Sequence, residues 1–134
     1  ESALKTLGEI KTASKRIAVL GDMLELGHHT EEAHKNIGKI AKENTDVLII
    51  VGPRAKKIKE GAIEVGMNKD DIFEFLNSNE AGEFLKTFIQ KNNFILIKGS
   101  QGMRMEHAVE AILKDKENKF QLLVRQDEEW LKKK

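Results

Sequence analysis

Lys98, Ser100 and Arg104 lie close together in the stretch "ILIKGSQGMRMEHAVEAIL" (95–113). An apolar run ends at Lys98, a turn carrying Gly99 and Gly102 follows, and a helix-period pattern begins near Gly102. A helix start presents unpaired N–H groups and the positive end of its dipole, which together suit an anion. The glycines let the backbone turn tightly and approach a ligand, while Ser100 can cap the helix or donate a hydrogen bond. Lys98 adds charge at the strand end, and the Arg104 guanidinium can grip a carboxylate through two parallel bonds. Basic residues at a helix start oppose its dipole, a local cost that favours a binding role. The alternative is that Lys98 and Arg104 are solvated surface charges. The chemistry expected of this turn is the holding of an anionic group of a small ligand.

A second candidate loop is "LGDMLELGHHTEEAH" (20–34). The Asp22 carboxylate could hold an ammonium, a hydroxyl or a hydrated metal, or simply cap its own turn. His28, His29 and His34 do not have the one-turn spacing of a zinc-binding H-E-x-x-H helix. His34 falls beside Ile37 and Ala41, which reads as a half-buried helix position, so no metal site is expected. No G-x-G-x-x-G follows the first strand. "AHKNIGKI" fails as a phosphate loop, because Ala33 stands for the first glycine and Ile40 for the Ser/Thr. Gly38 is better explained by close packing inside a helix. No catalytic residue emerges from these patterns.

Five segments read as the strands that must carry these loops: "RIAVLG" (16–21), "DVLIIVG" (46–52), "DIFEFL" (71–76), "FILIKG" (94–99) and "FQLLVR" (120–125). The second and fourth are unbroken apolar runs, as strands covered on both faces require. Between them lie helix patterns. Thr30 is an expected N-cap ahead of a stripe of Ala33, Ile37, Ile40 and Ala41. Pro53 suits a first helical position, with Ala55, Ile58, Ala62 and Val65 facing inward and Gly66 as the stop. Ala81, Phe84, Leu85 and Phe88 mark a third helix, and Met105, Ala108, Val109 and Ile112 a fourth. Ser2 to Ile10 forms a short leading helix. Alternating strands and helices predict an α/β, Rossmann-like fold: a mostly parallel sheet of about five strands with helices on both faces. Functional loops then lie beyond the carboxyl ends of the strands. "KENKFQLLVRQDEEWL" fits a strand plus tail or another helix.

The 134 residues correspond to one domain, with 40% apolar and 34% charged residues. A net charge of +1 supplies no broad field for nucleic acid, and no aromatics interleave with the basic residues as stacking platforms. Without cysteine there is no disulfide framework or thiolate zinc site, which is compatible with a reducing cytoplasm. No apolar run is long enough to span a membrane. The chain begins "ESALKTLGEIK", with neither Met nor a signal h-region, and reads as a piece of a longer protein.

"RIAVLGDMLELGHHTEEAHKNIG" together with "ILIKGSQGMRMEHAVEAIL" resembles the C-terminal domain of the Mur ligase family, in the branch that adds D-alanyl-D-alanine to the cell-wall precursor. "VLGDMLELG" and "KGSxGMRME" are the most specific parts, and the resemblance runs from residue 1 to about Leu113. Gln101 departs from the arginine more usual there. The resemblance implies a three-domain, cytoplasmic, monomeric enzyme in which residues 1–134 are the C-terminal domain and 115–134 a charged extension of no assigned function. ATP and Mg2+ would be bound mainly by domains outside this chain, as would UDP-MurNAc-tripeptide. ATP would activate the tripeptide carboxylate for attack by the dipeptide amine. Lys98, Ser100 and Arg104 would lie near D-alanyl-D-alanine, with Asp22 and Met23 lining the facing cleft. The isolated domain would be inactive and hold no cofactor. A competing reading is a stand-alone α/β module that binds a small anion without catalysis. An upstream G-x-x-x-x-G-K-[ST] in the coding sequence separates the two.

Overall fold

Five apolar segments pair into one parallel sheet in the computed structural model, which describes residues 2–10, 15–21, 30–52, 55–90, 93–98 and 121–124. The strands are β1 (Lys15–Gly21), β2 (Val47–Val51), β3 (Ile72–Phe75), β4 (Asn93–Lys98) and β5 (Gln121–Val124), in the order β3-β2-β1-β4-β5. Each pair is parallel: Ile17 stands opposite Val47 and Ile95, Leu48 opposite Ile72, and Phe94 opposite Gln121. The helices are α1 (Ser2–Gly8), α2 (Thr30–Asn44), α3 (Lys56–Glu64) and α4 (Ser78–Phe88).

Strand alternation divides the core into two layers. Ala18, Leu20, Leu48, Ile50 and Leu96 face Leu4 and Leu7 of α1, Ile37 and Ala41 of α2, and Ile58 and Ala62 of α3. Ile17, Val19, Ile49, Ile95 and Ile97 face Ala81, Leu85 and Ile89 of the α4 segment. Right-handed crossovers account for this division. The chain steps one way from β1 to β3 and back the other way to β4, so α4 lies on the opposite face from α2 and α3.

The five expected strands are present within a residue or two at each end. Gln121–Val124 is a strand, which decides between the two readings of that segment. The expected helix around Met105 lies outside the described residues. Thr30 is already helical, and α3 begins at Lys56; the helix start expected at Pro53 lies outside the described residues. Ala55 precedes α3 with no side-chain cap. Val65 was expected inside and is 40% exposed; it is the cap residue just past Glu64, where the chain has left the helical repeat and Met67 turns inward instead. Gly66 stops the helix at φ +100°. The Asn77 side chain accepts from Glu80 N–H at 2.9 Å, while the Glu80 carboxylate accepts from Leu76 N–H, a reciprocal cap on α4.

Arg16 pins the amino edge of the sheet. Its backbone N–H donates to Asp46 Oδ2 at 2.8 Å, and its guanidinium donates to the Gly8 carbonyl at 2.9 Å, tying α1 to the body. At Gly38 an added Cβ would lie 1.9 Å from the Ile58 carbonyl, and at Gly61 1.9 Å from the Lys35 carbonyl. Gly38 therefore serves close packing, as its place inside a helix pattern suggested, and Gly61 is its counterpart on α3.

Candidate functional site

In a parallel sheet the connection leaving each strand's carboxyl end is free to form a site, and the best place is where the strand order reverses. Here the reversal falls between β1 and β4, and Leu20 is paired directly with Lys98. The β1 and β4 runs are continuous and buried up to this edge, so two central strands hold the starting points of both candidate loops rigidly. Asp22 follows Gly21 in the sequence, and Ser100 lies two positions beyond Lys98. Lys98 is half-buried. By the alternation of β4 it continues the Phe94 and Leu96 side, toward the layer of α1 and α2. Asp22, Met23, Ser100 and Arg104 lie outside the described residues. The structure thus brings together the strand ends that carry the two loops and describes one of the five proposed site side chains.

His34 is buried completely on α2, on the face of Ile37 and Ala41, rather than half-buried as its sequence position suggested. The stripe it shares is the one packed on the sheet, which leaves no solvent-facing side for the ring. His28 and His29 lie outside the described residues. Among the described residues no group of three side chains is placed to hold a metal ion. No helix among the described residues is long and apolar enough to cross a membrane.

A further cleft of about 270 Å³ opens one strand away, at the carboxyl ends of β2 and β3. Gly52, Lys56, Phe75 and Leu76 line it, with Glu74 and Glu80. Gly52 turns out of β2 at φ +100°, a conformation suited to glycine, and its N–H donates to the Phe75 carbonyl at 2.9 Å. Both carboxylates are engaged, Glu74 with Lys59 and Glu80 with the Leu76 N–H. The sequence signal for this cleft was "VGPRAKK" after an apolar run, with Leu76, 72% exposed, just past β3.

Charges also bridge the two helices that lead away from this edge. Lys35 on α2 lies 3.1 Å from Glu64 and 3.9 Å from Glu60 on α3, and Lys39 lies 3.7 Å from Glu64. The Lys35 hydrogen bond and charge, with Lys39 adding to them, hold the Glu64 carboxyl below its ordinary range.

Residues 1–101 match the family described as "Mur ligase, glutamate ligase domain". The chain is 30% identical over 114 residues to the UDP-N-acetylmuramoyl-tripeptide–D-alanyl-D-alanine ligase of Bacillus subtilis (strain 168), covering 84% of this chain and 25% of that one. It is 31% identical over 125 residues to the ligase of the same name from Buchnera aphidicola subsp. Acyrthosiphon pisum (strain APS), covering 88% and 25%. Among solved structures it resembles crystal structure II of MurF from Acinetobacter baumannii, with a TM-score of 0.69 and 26% identity over 85% of this chain and 25% of that one. The chain spans about a quarter of the length of these relatives.

Proposed function

The chain belongs to the Mur ligase family, and we propose that it is the C-terminal domain of a three-domain ligase that joins D-alanyl-D-alanine to UDP-MurNAc-tripeptide in peptidoglycan precursor synthesis. The observation that carries this reading is the adjacency of β1 and β4 at the reversal of strand order, with Leu20 opposite Lys98. Both family-like loops follow directly on these two paired strand ends. On this reading the domain supplies position rather than a reactive group. Lys98, Ser100 and Arg104 hold the dipeptide, its carboxylate being the group that two cations and a helix start suit best. Asp22 and Met23 line the facing wall. Fixing the dipeptide's amine against an activated acyl group is worth on the order of 7–11 kcal/mol of barrier. Closure of the domain over the ATPase domain keeps water from that acyl group.

ATP and Mg2+ belong to the preceding domain in this reading, and UDP-MurNAc-tripeptide is held by the rest of the enzyme. The whole works as a cytoplasmic monomer. Residues 1–134 form one domain, with 115–134 as a charged extension. The test is ADP release by the full-length protein supplied with ATP and UDP-MurNAc-tripeptide. Release dependent on D-alanyl-D-alanine, and not on L-alanyl-L-alanine, is the expected result. Binding of simple anions by a full-length protein that has no ATP turnover would favour the stand-alone module.

A further inference from the structure

We draw no further inference here: the strongest candidate, the cleft at the carboxyl ends of β2 and β3 between Lys56 and the exposed Leu76, carries nothing, because both of its carboxylates are engaged within the fold and nothing in the structure shows what covers its apolar lip.

Discussion

Replacing Lys98 by Met in the full-length enzyme removes one ammonium and leaves an unbranched stem of similar length in its place. Lys98 closes β4 opposite Leu20 and is half-buried, on the side of the sheet that Leu96 shares, so the Met side chain can keep the packing of the stem. The cost should then be electrostatic alone. A hydrogen bond to a charged group contributes about 1.5–3 kcal/mol, and partial exposure places this one at the lower end. At about 1.4 kcal/mol per factor of ten, KM for D-alanyl-D-alanine should rise about ten- to thirtyfold. The assay follows ADP release while the dipeptide is varied at saturating ATP and UDP-MurNAc-tripeptide, alongside a thermal melt of the same preparation. Lys98→Arg should recover part of the loss, because the charge returns with a different reach. An unchanged dipeptide KM in a folded Lys98→Met enzyme would refute the reasoning. A lowered melting temperature with normal kinetics would assign Lys98 to the fold instead.

Arg104→Ala should also raise the dipeptide KM, by about ten- to hundredfold, with Arg104→Lys recovering only part because lysine lacks the two-bond grip. The isolated 134-residue chain should unfold in one cooperative thermal transition and show no ATP turnover above a mock preparation. Leu85→Ala empties a fully buried position in the α4 layer and should lower stability by about 2–5 kcal/mol, read from a urea midpoint at unchanged slope. Glu64 is held below its ordinary range by Lys35 and Lys39, so its contribution is present at neutral pH and fades as pH falls through the lowered value. Urea midpoints of wild type and Glu64→Gln should therefore differ at pH 7 and converge in acid or in high salt.

The sheet was legible because its central strands are unbroken apolar runs, and burial on both faces leaves such runs no other use. Helix ends were less legible. Thr30 carries the right chemistry for a cap, yet α2 begins at Thr30 itself, and α3 begins at Lys56 while Pro53 lies outside the described residues. The Asn77 cap is legible in "NSNE", whose Glu80 returns a bond to Leu76 N–H, whereas the apolar stripe beginning at Ala81 marks the helix and not its start. Gly38 could be assigned to packing from one helix alone. Gly61 could not, because its partner, the Lys35 carbonyl, comes from another helix. The adjacency of the β1 and β4 loops lay beyond any local pattern, since it arises from the reversal in strand order. Recognisable loop sequences said that they belong together, and the topology supplies the physical reason.

The short strand β3 has a consequence for how the protein behaves when concentrated. It ends the sheet on one side, where an open row of N–H and C=O groups could recruit another chain's strand. Only four residues are offered, and Glu74 in their midst is joined to Lys59 of α3, so an incoming strand meets a charge beside the edge. On the other face Phe73 and Phe75 lie against Phe84, with ring centres 4.8 and 5.2 Å apart, which keeps the strand's aromatic rings engaged within the fold. Edge-to-edge polymerisation through β3 is thereby discouraged. The same four residues thus close the sheet on this side through charge and shortness.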